Sequence, residues 1–257
     1  MQLETVGEIV RILRSRRGLE QVELARACGW RDASAVSRIE TDRIHPTRKT
    51  LVKLADALAD PAVTGTGREV RAMLFLAAGL LPTADEIAEI AAELPDIDRW
   101  GQPALIVDFG WNIWDTNVLA RNFAGLPADA EGRNYFTSFF QPDGPVRARL
   151  GSDWEMSALT SLKVFRAQTD ARSHQRWHRT MLGTLMRLPD FGRLWSIAEP
   201  DGERPSVQRR RTERTFVGNL AVYDLPLTTD PRLHVLHVVA EDEQTARALE
   251  REAKARL

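Results

Sequence analysis

Ser34, Ser37 and Arg38 place two hydroxyls and a guanidinium at a spacing that one face of a helix gathers. That set suits the edges of base pairs. Arginine matches guanine with two parallel hydrogen bonds, and serine reads either base type or a phosphate. Reading a groove also needs a second helix packed across the first to hold it proud of the surface. The segment from Gln21 to Glu40 has those parts. Ala25 is small enough for close helix approach, and Gly29 sits where the turn wants a positive φ. Val36 and Ile39 anchor the reading helix from below, and Asp32 can N-cap it.

The surrounding elements follow from apolar periodicity. Val6, Ile9, Val10 and Leu13 recur at helical spacing until Gly18 stops the run. Leu24, Ala25 and Cys28 give a second short face, and Val36 and Ile39 a third. Thr47 caps a fourth helix whose stripe is Leu51, Leu54, Ala55 and Leu58. Residues 60–67 are small and punctuated by Gly and Pro, as an exit from this head. Residues 68–81 are again helical, and Thr83 caps a helix over 84–94.

Patterning changes after Pro95. Residues 104–108 and 111–114 read as two antiparallel strands, followed by a short helix from Asn117 to Phe123 that Asn117 caps. Residues 153–197 carry helical patterning, interrupted at Pro189 and Gly192. Residues 206–224 and 233–240 return to strand patterning, and 242–256 form a charged, Ala-rich helix. The expected fold class is α+β: an all-α head at 1–60, connecting helices at 61–95, and a mixed body at 96–257 with an antiparallel sheet and packed helices.

Composition bounds the function. At 257 residues, 43% hydrophobic and 28% charged, the chain suits a folded soluble protein of two domains or one large one. Its net charge of -1 means that any field for nucleic acid is local. Arg11, Arg14, Arg16 and Arg17 cluster, but Glu20, Glu23, Asp32 and Asp42 dilute them. Such a head binds DNA modestly and salt-sensitively, which argues for a homodimer engaging two half-sites. The single cysteine, Cys28, excludes an intrachain disulfide framework and reads as a small buried hydrophobe. No apolar run approaches the roughly 18 residues that span a bilayer, and residues 1–10 lack a secretory pattern, so the expected setting is the cytoplasm, with no membrane partner.

Arg17-Gly18-Leu19-x-Gln21-x-x-Leu24-Ala25, then Val36-Ser37-Arg38-Ile39-Glu40, then Pro46-Thr47-x-x-Thr50-Leu51 resembles the XRE (lambdoid repressor and Cro-like) helix-turn-helix family. The resemblance implies duplex DNA, an operator, as partner. Gln21 would touch the DNA backbone, Ser34, Ser37 and Arg38 would face the groove, and Arg43 with the corner of Thr47 and Lys49 would approach phosphates. Arg17 and Asp32 complete the candidate DNA-binding set. Two features depart from the family: the turn from Gly29 to Ser34 is one residue longer, and Thr41-Asp42 stands where Asn-Gly is usual.

The run from Ala104 through Asn117 to Gly125 resembles the opening of a PAS domain. Arg133-Asn134-Tyr-Phe-x-x-Phe139-Phe140, Leu150-Gly151-x-Asp153-Trp154-Glu155 and Leu188-Pro189-Asp190-Phe191-x-x-Leu194-Trp195 resemble the MmyB-like regulator ligand-binding domain, a PAS-like fold found behind XRE heads. That resemblance implies an apolar pocket and a fatty-acid-type ligand. Trp114, Phe136, Phe139, Phe140, Trp154, Leu162, Phe165, Trp177, Phe191 and Trp195 are the candidate lining, although the same residues would serve equally as solid core. Of the run Arg209-Arg210-Arg211, alternation puts Arg209 and Arg211 on one strand face; Arg211 could hold a carboxylate, or be a solvated edge charge.

No metal or cofactor is expected. His174 and His178 are four apart on an expected helix, but no third ligand is near and a solvated face explains them. His234 and His237 fall on opposite faces of a strand and cannot chelate together. No nucleophile elbow, phosphate-binding glycine loop or HExxH occurs, so an enzyme is not expected. The reading that competes with a ligand-responsive regulator is a DNA-bound protein-interaction or antitoxin-like module, with a solid body core and an exposed apolar patch.

Overall fold

Six helices build the first of two units into which the chain divides by internal contacts; it runs to Ala91 and takes in Thr228–Arg232. The computed structural model describes residues 5–127, 129–130, 132–199, 209–215 and 217–254. In order the helices are α1 (Val6–Arg16), α2 (Gln21–Ala27), α3 (Ser34–Glu40), α4 (Arg48–Leu58), α5 (Gly67–Ala77) and α6 (Ala84–Ile90). Their starts are written in the sequence. Thr5 with Glu8, Thr66 with Glu69 and Thr83 with Glu86 form capping boxes, and Thr47 accepts from the Thr50 amide. Each such cap stabilises its helix by about 1 kcal/mol.

One core joins α1 to α5: Val10, Leu13, Leu24, Val36, Ile39, Leu51, Leu54, Leu58, Val70, Leu74 and Phe75 are all buried in it. Residues 61–91 belong to the first unit, because α5 carries its own apolar stripe and buries it against α4. At Gly7 a Cβ would stand 2.5 Å from the Ile39 carbonyl oxygen, so glycine lets α1 approach the end of α3. Gly29 has φ +72, as the turn requires. Asp42 takes the left-handed conformation (φ 52) where glycine is usual in the resembled family. Its carboxylate accepts from the Thr5 hydroxyl at 2.7 Å and the Gly7 amide at 3.2 Å, which compensates the strain and ties the start of α1 to the end of α3.

The second unit, Ala92–Leu227 and Leu233 onward, is α+β. Strands β1 (Ala104–Asp108) and β2 (Ile113–Thr116) come first. Helices α7 (Val118–Ala124), α8 (Tyr135–Phe139), α9 (Pro145–Leu150), α10 (Trp154–Thr169), α11 (Arg176–Leu185) and α12 (Phe191–Ile197) follow. Then come β3 (Arg209–Thr215), β4 (Gly218–Pro226), β5 (Leu233–Ala240) and α13 (Glu243–Lys254). The strands form one antiparallel sheet in the order β2-β1-β5-β4-β3. Asn117 caps α7 through the Ala120 amide at 2.8 Å, and also accepts from the Ala104 amide. The hairpin β1–β2 turns on Asp108, whose buried carboxylate accepts from the Gly110 and Asn112 amides.

The register sorts the sheet's faces. Leu105 pairs with Leu236, Val222 with Val238, and Arg211 with Val222. Leu105 and Leu236 join the ring-rich cluster built by α8, α10 and α12 around Phe136, Phe140, Phe165 and Phe191. The helical stretch expected over 153–197 is three helices, with a 3-10 turn at Asp170–Arg172 and a break before Phe191. The strand expected over 206–224 is two, separated at Gly218 (φ 125); residues 206–208 lie outside the described residues. Helices α8 and α9, five and six residues long, were not expected, being shorter than a periodicity window resolves.

Candidate nucleic-acid interface and ligand pocket

Helix α3 presents Ser34 and Arg38 exposed and Ser37 half-buried, over Val36 and Ile39, which are buried below. Arg38 Nε donates to the Ser34 carbonyl at 3.3 Å, leaving the guanidinium in solvent along the helix. Asp32 lies just ahead, but Ala33 occupies the N-cap position; the Asp32 carboxylate instead accepts from the Ser34 amide at 2.8 Å across the lengthened turn. Those bonds to Ser34 hold its pKa below the usual range. Arg43, Thr47 and Lys49 are exposed, as phosphate contacts need to be.

Two members of the candidate set sit elsewhere. Arg17 Nη1 donates to the carbonyls of Ala57 and Ala59 at 2.8 and 2.9 Å, and its Nε lies 3.8 Å from Asp60. Arg17 thus satisfies the open carbonyls at the end of α4. Gln21 Nε2 donates to Glu40 Oε2 at 2.8 Å, so one of its two N–H donors is held within the protein. Glu40 also receives Arg14, by Nε at 2.6 Å and Nη2 at 3.1 Å. Of the arginine cluster in α1, Arg11 and Arg16 remain exposed.

In the second unit the ring cluster is solid. Phe136, Phe139, Phe140, Trp154, Leu162 and Phe165 are 3% exposed or less and pack ring on ring, with Phe140 and Phe191 centroids 4.9 Å apart. Trp195 is half-buried against Phe191 and Phe165. Trp114 is half-buried, and its Nε1 donates to Asp108 Oδ2 at 3.0 Å. Trp114 lies outside the cluster that the other rings form. The Arg211 side chain lies outside the described residues; its backbone pairs with Val222.

A pocket lies instead between the sheet and α7. A cavity of about 50 Å³ is lined by Leu105, Leu220, Val222, Leu236 and Val238 from the sheet, Ala120, Phe123 and Ala124 from α7, and Pro103 and Tyr135. Every lining residue but Tyr135 is wholly apolar, which suits an apolar ligand.

Residues 97–251 match the family model described as MmyB-like transcription regulator ligand binding domain. The chain belongs to this family. Residues 5–63 match a model described as helix-turn-helix domain, and no curated protein matches the chain. The MmyB-like chain is accordingly a DNA-binding transcription regulator with a ligand-binding domain behind its head. No helix among the described residues is long and apolar enough to cross a membrane.

The pocket of this MmyB-like regulator was missed in the sequence because it is made by register. Leu220, Val222, Leu236 and Val238 alternate along β4 and β5, a period-two signal present in the chain, but the strand that opposes them is set only by the fold. A buried polar chain beside the core was missed for the same reason. Trp111 Nε1 donates to Gln168 Oε1 at 2.7 Å, Gln168 Nε2 to Asp224 Oδ2 at 3.0 Å, and His234 Nδ1 lies 2.8 Å from Asp224 Oδ1. His174 precedes α11 while His178 lies in it, 3% exposed beside Phe165, so the expected solvated pair is replaced by one buried imidazole. Burial lowers the His178 pKa, with Asp170 acting in the opposite sense, and its Nε2 has no hydrogen-bond partner, nor has Ser161 Oγ. Cys28 is buried as expected, its thiol pushed up to about 11 by burial.

Proposed function

We propose that the protein is a sequence-specific, XRE-type regulator whose body senses a small apolar ligand of the fatty-acid class. The observation that carries the ligand half is the apolar pocket between the sheet and α7. As it stands it takes a few methylene-sized groups; a longer chain enters by swinging Phe123 and Tyr135, two half-buried members of its lining. The DNA half rests on the exposed Ser34 and Arg38, which have the donors that base edges accept.

The protein acts as a homodimer in the cytoplasm. Glu20, Glu23, Asp32 and Asp42 dilute the head's exposed cations and Arg14 and Arg17 are engaged internally, so a second head on a second half-site adds affinity. The second reading, a DNA-bound protein-interaction module, is favoured by the solid ring cluster and by exposed Met156 and Ile197 on α10 and α12.

A native mass spectrum of the purified full chain separates the two. A dimer carrying a small co-purified mass supports the ligand-sensing regulator. A ligand-free monomer that also fails to take up added dodecanoate contradicts it.

A further inference from the structure

The segment Thr228–Arg232 joins β4 to β5, yet by contacts it belongs to the first unit. Within that unit Arg232 is almost fully buried, its side chain 3% exposed. Its Nη1 donates to Glu86 Oε2 at 2.8 Å, and its Nε and Nη2 to the Asp230 carboxylate at 3.0 and 2.6 Å. Its guanidinium lies 5.1 Å from the Phe75 ring centroid. Arg48 lies 4.8 Å from the same ring. Arg48 also pairs with the other oxygen of Glu86 and donates to the Leu81 carbonyl at 2.7 Å. Two guanidiniums therefore share one aromatic ring and one carboxylate, each taking its own oxygen. Like charges this close stay together only through the anions between them.

Arg48 is the first residue of α4, placed between the exposed Thr47 and Lys49 of the phosphate corner. At the other side of Arg232 the chain runs straight into β5, which begins at Leu233. The pairing of β4 with β5 continues from Leu220 opposite Ala240 to Pro226 opposite His234. These two strands give the pocket Leu220, Val222, Leu236 and Val238.

We propose that Arg232 is a positioning residue through which ligand in the body pocket sets the placement of the phosphate corner at the start of α4. The inference rests on the ligand reading above. A ligand that spreads the pocket shifts two strands whose ladder is continuous, and the turn joining them moves with them. Arg232 then alters its hold on Glu86. Glu86 in turn holds Arg48, and through its Oε2 it also accepts from the Thr83 amide at the start of α6. The ligand acts only by its differential affinity for the two placements.

The test uses the full chain, a duplex that the protein selects from a random pool, and dodecanoate as probe. In the wild type, saturating dodecanoate changes the duplex Kd by fivefold or more, within the usual span of coupling between sites. Arg232→Met binds dodecanoate within twofold of wild type, while its duplex Kd changes less than twofold on adding dodecanoate. Glu86→Gln, which keeps the acceptor for the Thr83 cap, shows the same uncoupling and decides the matter should Arg232→Met fail to fold. Full coupling in a folded variant overturns the proposal. Dodecanoate binding to the wild type without any effect on the duplex Kd overturns it while leaving the ligand reading intact. No dodecanoate binding at all removes both.

Discussion

Arg14 and Glu40 form a two-pronged ion pair, with Nε to Oε1 at 2.6 Å and Nη2 to Oε2 at 3.1 Å. The pair joins α1 to the last residue of α3, and the Glu40 side chain is 3% exposed. The carboxylate hydrogen bond raises the Arg14 pKa further, against the lowering effect of burial. With Gln21 donating to the same carboxylate, Glu40 fixes the angle between the two helices of the DNA-reading motif.

Glu40→Ala should cost about 3 kcal/mol or more, because it leaves a part-buried guanidinium without its partner. Urea unfolding of the full chain, followed by head-specific probes, measures it. A change below about 0.5 kcal/mol would mean that the helices are held by the apolar core alone.

Arg38→Ala should relax base preference and weaken selected duplexes by about 1–3 kcal/mol. Arg17→Ala should instead lower stability by about 1–3 kcal/mol and leave base preference unchanged, since it strips the donor from the Ala57 and Ala59 carbonyls. Binding isotherms against single-base variants of one duplex separate them. A change in base preference for the Arg17 variant would contradict its role as a partner of those carbonyls.

Pocket and core differ in their tolerance of bulk. Ala120 lines the cavity and Ala158 is fully enclosed in the ring cluster. Ala120→Val should change stability by less than about 1 kcal/mol and weaken uptake of dodecanoate. Ala158→Phe should overpack and cost about 3 kcal/mol or more. Thermal melts with a dodecanoate titration test both; equal losses at the two positions would place Ala120 in a solid core as well.

What was legible in the sequence was local. Gly29, Thr47 and Asn117 announced their turn and caps through their own chemistry, and Val36 and Ile39 announced the buried side of α3. The internal partners of Arg17 and Gln21, the Ala57 carbonyl and Glu40, were not legible, because a family motif records residue types and these partners lie 40 and 19 residues away. The ring cluster read as lining or core alike, since aromatic content carries no information on what faces what. The pocket needed the pairing of β4 with β5, which no short segment states.

Acid should loosen the body through His178 and His237. Burial lowers both imidazole pKa values from the ordinary 6.5. The unfolded chain then binds more protons than the folded one as pH drops below about 6.5, so their contribution to stability is present above that pH and is lost as pH falls through the folded values. Asp108, raised by burial, contributes with the opposite sign, so the difference between wild type and His178→Phe isolates the imidazole. Urea midpoints between about pH 7.5 and 5.5 should fall more steeply in the wild type. Parallel curves would mean that His178 takes up its proton equally in the folded and unfolded chains, so that burial does not lower its pKa.

On the proposed function, occupancy of the body pocket changes DNA binding. The most direct measurement is a pair of fluorescence-anisotropy isotherms on the self-selected duplex, without and with saturating dodecanoate, at one fixed salt concentration. Midpoints separated by fivefold or more are expected. Superimposed isotherms, with dodecanoate binding verified calorimetrically in the same buffer, would contradict it.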